Sequence, residues 1–417
     1  MTYQLYFIQR NYVEDDIFNG HNKNFPKRDL VIADEAHKIC DICQAHFAPK
    51  ISIERPKWMT TLDKYAYSSM NEYERIDILN RIELCKDNDE LIDAVAEYAS
   101  YVAFYCNLNN EIRHKLASVK TLSNSDRKAL AAGNMARQTH CKFDDMLSFI
   151  KEYGSTEYVA KTNDGNEITL NFIFDDAMLK KYFHSRSKNE MLMSATIGDF
   201  NEYAKLAGLD KKNTKAISMT STFDFTKSPI FFTNENKMSY DEKDASILKI
   251  AKQVEDICNA HSDMRGIIQT GSYANVDALM QNVSRNVSDR CLIYKGSKDK
   301  KDALERFLAY GNNQHDNHIL VGPTLIEGLN FPDDLCRFQI CIKVPYAFLG
   351  SEYVKKRMEY VDGWYEYDVL NKLCQGIGRG VRHEKDWCET YILDGCISYL
   401  VKKLDKFRAL NGRFKKL

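Results

Sequence analysis

The 417-residue chain contains no Gly-x-x-x-x-Gly-Lys-Ser/Thr segment, so its own sequence supplies no phosphate-cradling loop of that kind. It also lacks a large net charge of either sign: 58 Lys and Arg stand against 59 Asp and Glu, a formal net charge of -1. That balance excludes a global basic field and confines any nucleic-acid surface to a local groove. No apolar run approaches the roughly 20 residues of a transmembrane helix, so no membrane partner is expected. Met1-Thr2-Tyr3-Gln4 opens into mixed polar sequence, without the basic stretch and long apolar core of a secretory signal. The twelve cysteines are irregularly spaced and absent from residues 1–39. They do not read as a small disulfide framework, and a reducing, cytoplasmic setting is expected.

What is present is a chain of globular composition, 44% hydrophobic and 28% charged, long enough for two or three domains. Basic residues concentrate at the C-terminus, where residues 401–417 hold seven Lys or Arg against one Asp. A terminal helix with a solvated basic face accounts for them. The run Leu30-Val31-Ile32-Ala33 reads as a short buried strand leading straight into Asp34-Glu35-Ala36-His37. From about residue 41 to 150 the spacing is helical: Leu62, Ala66, Met70, Tyr73 and Ile76 mark one stretch, and Leu91, Val95, Tyr98, Val102 and Tyr105 another. A hairpin is expected where Tyr158-Val159-Ala160 and Ile168-Thr169-Leu170 flank Asn163-Asp164-Gly165-Asn166. Met191 to Thr196 reads as a strand that returns the chain to the sheet begun at Leu30.

Beyond about residue 225, helical patterns alternate with short apolar strands at 266–269, 291–294, 319–321, 338–342 and 391–393. Such alternation argues for βαβ units and a parallel sheet. Ligand-contacting residues gather at the C-terminal ends of parallel strands, where Thr270-Gly271-Ser272-Tyr273 and Gly322-Pro323-Thr324 fall.

Two adjacent carboxylates at a strand end suit phosphoryl transfer, Asp34 holding Mg²⁺ and Glu35 taking a proton from water or orienting it. The same residues can also serve simply to cap the helix that follows. Gln375, Arg379 and Arg382 are four and three residues apart after the helical pattern Tyr367-Leu370-Leu373-Cys374. If the helix continues, all three share one face. Arginines at a helix end also favour its dipole, but glycines at 376, 378 and 380 weaken a merely structural helix.

Together these segments resemble a known family. Asp34-Glu35-Ala36-His37 resembles motif II of superfamily 2 helicases, Ser194-Ala195-Thr196 motif III, and Gln375 to Arg382 motif VI. More narrowly, Gly266 to Tyr273, Thr324-Leu325-Ile326-Glu327-Gly328-Leu329-Asn330-Phe331-Pro332, Lys343-Val344-Pro345-Tyr346 and Asn11-Tyr12 are similar to segments of the DinG/XPD type. The resemblance implies an ATP-dependent DNA helicase of α/β class, a hydrolase serving DNA repair or replication. It would be built of two RecA-like parallel-sheet domains with a helical arch insertion. On that template residues 1–40 and 185–220 form an N-terminally truncated first domain, 41–184 the arch, and 221–417 the second domain. ATP would sit between the RecA-like domains and single-stranded or forked DNA across them.

The resemblance further implies that Asp34 binds Mg²⁺, that Glu35 activates water, and that Arg379 and Arg382 act as arginine fingers with Gln375 near the γ-phosphate. Gly328 and Asn330 would contribute to the nucleotide site. Ser194 and Thr196, with His37, would couple nucleotide state to domain movement. Ser272, Tyr273 and Thr324 would line the DNA path, with Tyr273 equally readable as a packed aromatic.

Three departures qualify this template. Asn330 stands where the family usually has Asp. Cys40-x-x-Cys43 follows motif II with no second such pair, so no iron–sulfur cluster is expected. The phosphate loop is missing, so either a separate polypeptide or an N-terminal segment must supply it, or the chain is an ATPase-inactive, nucleic-acid-binding remnant.

Overall fold

The computed structural model describes residues 28–66, 72–86, 88–153, 159–219, 223–309, 316–323, 330–401 and 413–417. Two compact units are formed. The first comprises residues 1–194, 203–214 and 348–362, and the second residues 195–202, 215–347 and 363–417.

The first unit opens with β1 (Arg28–Ala33), which pairs in parallel with β5 (Ser187–Leu192), Ile32 opposite Met191 and Ala33 opposite Leu192. The expected return of the chain to this sheet is therefore found, but on Ser187–Leu192 rather than Met191–Thr196, so that Ser194 and Thr196 lie beyond the strand. The expected burial is not: Leu30 is 53% exposed and Ile32 59%, with Met191 beside them at 50%. Alternate side chains of a strand point to opposite faces, and among the described residues only β5 pairs with β1, so the Leu30–Ile32 face stays open. Ala33, at the end, is buried.

Between β1 and β5 lie mainly helices. The stretch expected to run from Leu62 to Ile76 is broken: a helix Lys57–Leu62 gives way to a 3-10 turn and then to extended backbone at Ala66, and a new helix spans Glu72–Leu84. Met70 lies outside the described residues. The second stretch forms the single helix Asn88–Leu116. Its buried stripe, Leu91, Val95, Tyr98, Val102 and Tyr105, packs toward the helix Asn124–Tyr153, with Tyr98 and Phe143 rings 5.2 Å apart. The hairpin is present as β3 (Val159–Asn163) and β4 (Glu167–Phe172), turning at Gly165 with φ 89°. Its third, antiparallel strand, β2 (Lys50–Ser52), has too few residues to announce itself by periodicity.

A helix from far along the chain, Glu352–Tyr360, also belongs to the first unit. Arg357 donates to Asp175 at 2.6 Å, and Lys356 donates to the Val159 carbonyl at 2.9 Å.

The second unit is a seven-stranded sheet in the order β12-β6-β11-β10-β7-β9-β8, parallel at every pairing. These strands are β6 (Ile230–Phe232), β7 (Gly266–Gln269), β8 (Cys291–Ile293), β9 (Ile319–Gly322), β10 (Phe338–Cys341), β11 (Glu389–Ile392) and β12 (Phe414–Lys416). Strand alternation splits the buried residues into two cores, as an all-parallel sheet covered on both faces requires. Ile268, Val321 and Ile340 join Ile250 and Val254 of the helix Lys243–Ala260 on one face. Ile267, Leu320 and Leu292 join Phe307 and Phe331 on the other.

Gly266 sits opposite Phe338 in the register of β7 and β10, and a Cβ there would run into the Phe338 ring. That ring also stacks on His261, at 4.7 Å and 11°. Gly266→Ala therefore forces the ring out of a packed site. A loss of about 1–3 kcal/mol is expected, read from the urea midpoint of unfolding.

Candidate functional site

The motif residues fall into a first group on β1 and β5 and a second group at the ends of the seven-stranded sheet.

Asp34 and Glu35 follow the last residue of β1, and both are exposed. Glu35 has φ 52° and ψ 39°, a left-handed conformation that L residues other than Asn, Asp and Gly seldom adopt. Local bonds hold it there. Asp34 Oδ1 accepts the Glu35 N–H at 2.8 Å, and Ala36 donates to the Met193 carbonyl at 2.8 Å, just beyond β5. Tyr203 adds a hydroxyl bond to the Ala36 carbonyl at 2.9 Å.

The backbone reversal puts the Glu35 carboxylate in solvent and turns His37 inward. The His37 side chain is 6% exposed, and its Nδ1 lies 2.7 Å from Ser194 Oγ and 3.3 Å from Glu35 Oε2. Glu35, His37 and Ser194 are thus brought together. As a hard oxygen donor at an exposed strand end, Asp34 fits Mg²⁺.

The helix Ile39–Phe47 carries Cys40 and Cys43 inward. Burial, with Asp175 nearby, pushes both thiols well above their ordinary range.

In the second unit, the helix Trp364–Ile377 carries Gln375 in its last turn. Gln375 Nε2 donates to Thr196 Oγ1 at 2.6 Å, and Arg379 donates to Gln375 Oε1 at 3.3 Å. Thr196 is 8% exposed. Tyr367 on the same helix donates to the Ile197 carbonyl at 2.7 Å.

The helix stops at Ile377, so the expected shared face of Gln375, Arg379 and Arg382 is corrected: Arg382 lies beyond the helix, outside any regular element. The glycines account for this. Gly378 ends the helix, and Gly380 passes so close to the buried Cys388 that a Cβ there would meet its sulfur. Released from the helix, Arg382 donates to Asn330 Oδ1, while Phe331 donates to the Arg379 carbonyl at 3.2 Å. The segments carrying Asn330 and Arg379–Arg382 are thereby joined.

Ser272 caps the helix Tyr273–Met280, its Oγ accepting from the Asn275 N–H at 3.2 Å, and Tyr273 is 52% exposed at the helix start. Both stand at the C-terminal end of β7, beside Gly271, whose φ of 78° keeps the backbone close to Lys343. Thr324 and Gly328 lie outside the described residues, as does Asn11-Tyr12.

Sequence reasoning missed Asp386 and Tyr203. Asp386 is a buried carboxylate four residues past Arg382. Among the described residues, no helix is long and apolar enough to cross a membrane.

Residues 254–403 match the family model of the helicase C-terminal domain. Over 88% of its length the chain is 21% identical to the ATP-dependent DNA helicase CHL1 of Debaryomyces hansenii, covering 52% of that protein. For the CHL1 helicase of Candida albicans the identity is 22%, with 88% of this chain and 53% of the relative covered. A shorter stretch, 18% of the chain and 10% of the relative, is 34% identical to the ATP-dependent DNA helicase chl-1 of Caenorhabditis elegans. The chain spans about half the length of the two CHL1 relatives that it matches along its length.

Among solved structures, XPD_APO aligns with 99% of this chain and 81% of its own, at a TM-score of 0.56 and 15% identity. Xpd4 of S. tokodaii covers the same shares at 0.54 and 14%. The fold is therefore α/β with parallel sheets, of the XPD kind. With residues 254–403 matching a helicase C-terminal domain and an XPD-like fold over 99% of its residues, the chain is similar to helicases of the XPD/CHL1 type.

Proposed function

We propose that this chain is the motif II to motif VI portion of an ATP-dependent DNA helicase in a reducing, cytoplasmic setting. It hydrolyses ATP to translocate on single-stranded or forked DNA, and its phosphate loop comes from another polypeptide or from an N-terminal segment outside residues 1–417. The observation that carries this reading is Glu35, an exposed carboxylate in left-handed backbone directly after a parallel strand. Backbone strain of that kind concentrates at functional sites. A residue that merely capped the next helix would not need it, and Glu35 makes no side-chain capping bond.

In this reading Mg²⁺ held at Asp34 neutralises charge on the phosphates. Glu35 receives the proton of the attacking water. Arg379 and Arg382 stabilise charge that develops in the transition state, with Gln375 beside them and Gly328 and Asn330 completing the nucleotide site. The hydrogen bonds of His37 to Ser194 and of Gln375 to Thr196 involve residues two apart in one segment. This supports a coupling role for Ser194 and Thr196. Ser272, Tyr273 and Thr324 contact the DNA, the half-exposed Tyr273 ring offering a face for a base. The open apolar face of Leu30, Ile32 and Met191 supports a further polypeptide segment covering that sheet.

Arg379→Ala and Arg382→Ala test the reading. Each is expected to lower DNA-stimulated ATP turnover by about 10³-fold or more, with affinity for single-stranded DNA retained. Turnover unaffected by both changes, or no nucleotide binding by the reconstituted protein, would leave only the inactive nucleic-acid-binding remnant.

A further inference from the structure

We propose that Asp386 is a positioning residue that fixes Arg382 and the loop beginning at Asn330 as one rigid piece. The inference rests on the helicase reading for its catalytic consequence but not for its geometry.

Asp386 is 1% exposed, and both of its carboxylate oxygens face donors from this unit. Oδ2 accepts the Arg382 N–H at 2.9 Å. Oδ1 accepts from the Asp333 N–H at 3.2 Å, the Trp387 N–H at 2.9 Å and the Arg337 guanidinium at 2.9 Å. One carboxylate therefore holds the backbone of an arginine finger and the backbone of the loop whose Asn330 receives that arginine's side chain. A second tie runs the other way, with His383 Nε2 2.8 Å from Asp333 Oδ1. Asp333 has φ 55°, and its backbone N–H and side chain are both held by the 383–386 segment. Arg337, at the head of β10, is anchored by the same carboxylate and by the Trp387 carbonyl at 3.0 Å. The clamp is thus tied to the sheet.

Asp333, His383 and Asp386 place potential ligand atoms within 4.8 Å of one another, a grouping that invites a metal reading. The bonding of Asp386 argues otherwise. Its oxygens accept four N–H donors, and the adjacent Arg337 supplies the positive charge that a cation would supply.

The consequence for the reaction follows from Arg382's place in the chain. It lies past the helix end, where the glycine-rich segment leaves its backbone unsupported by helical hydrogen bonds. Hydrogen bonds to a carboxylate are among the stronger ones, and here they replace that support.

The test is Asp386→Asn, which keeps the shape but turns an amide N–H₂ toward groups that are all donors. Backbone amide exchange at Arg382 and Asp333 is expected to accelerate by about tenfold or more, and kcat for ATP to fall by about tenfold or more with KM nearly unchanged. In the double variant with Arg382→Ala, the turnover loss is expected to be no larger than for Arg382→Ala alone. Unchanged exchange at Arg382, or additive losses in the double variant, would overturn the proposal. So would a fall in melting temperature with kcat intact, which marks a role in stability only. Absence of turnover in the parent protein supplied with a phosphate-loop polypeptide would instead refute the helicase reading, and the exchange measurement would still decide the role of Asp386.

Discussion

Glu35→Gln lowers DNA-stimulated ATP turnover by about 100-fold or more while single-stranded DNA binding stays within about twofold. The amide keeps the size of the side chain and the left-handed backbone of the native residue, so the fold has no reason to change. It removes the group that takes the proton. Glu35→Gly separates catalysis from strain at the same position. Glycine adopts φ 52° without penalty, so this variant is expected to gain about 1 kcal/mol of stability as turnover is lost. A glutamate that served only as a helix cap would give the opposite pattern, with turnover intact in both variants. Steady-state hydrolysis and a urea titration on the same samples distinguish the two.

The largest effect on stability is expected from Asp175→Ala. Asp175 and Arg357 have side chains 1% and 3% exposed and meet at 2.6 Å, with Gln44 donating to the other Asp175 oxygen at 2.8 Å and Arg357 donating to the Tyr353 hydroxyl at 2.6 Å. Burial works against the guanidinium's charge, but Asp175 and Tyr353 outweigh it and hold Arg357 above its ordinary value. Removing the carboxylate strands that charge in the interior, at a cost of about 3–5 kcal/mol. Replacing both partners by apolar residues of similar volume, Asp175→Leu with Arg357→Met, is expected to restore most of the loss, because the ion pair contributes little beyond what its own desolvation costs. Denaturant unfolding of the single and double variants checks this. A single variant as stable as the parent would show that the pair does not anchor the helix Glu352–Tyr360 to the first unit.

The sequence and the structure agree where local pattern carries the information. β7 runs over the residues expected from its apolar run, and β8, β9 and β10 differ from expectation by a residue at an end, because four apolar residues between helical segments in a parallel sheet leave little choice. The helix Asn88–Leu116 shows its buried stripe residue by residue for the same reason. Three-residue strands such as β2, β6 and β12 are too short to show a period, and they became visible only as partners of longer neighbours. The pairing of Arg357 with Asp175 spans 182 positions, and no local pattern foretells that residues 348–362 return to the first unit.

Within the candidate site, the residue types and their strand-end positions were legible, but backbone geometry was not. Nothing in Asp34-Glu35-Ala36-His37 announces the left-handed Glu35, which arises from bonds to Asp34 and from the Ala36–Met193 bond. The glycines at 378 and 380 were read as weakening a helix. They in fact end it, and so send Arg382 to Asn330 rather than along the face of Gln375. The exposure of Leu30 and Ile32 likewise escaped the sequence, since an apolar run reports a preference for burial and not whether a neighbour is present to provide it.

The most direct test of the central claim is ATP hydrolysis in the presence of single-stranded DNA, measured for the chain alone and after adding a polypeptide that carries the Gly-x-x-x-x-Gly-Lys-Ser/Thr loop, first that encoded by the adjacent upstream reading frame. Little or no turnover is expected from the chain alone, and DNA-stimulated turnover that depends on Glu35 is expected from the mixture. Turnover by the chain alone that survives Glu35→Gln, or none from any mixture that supplies the loop, would contradict the account.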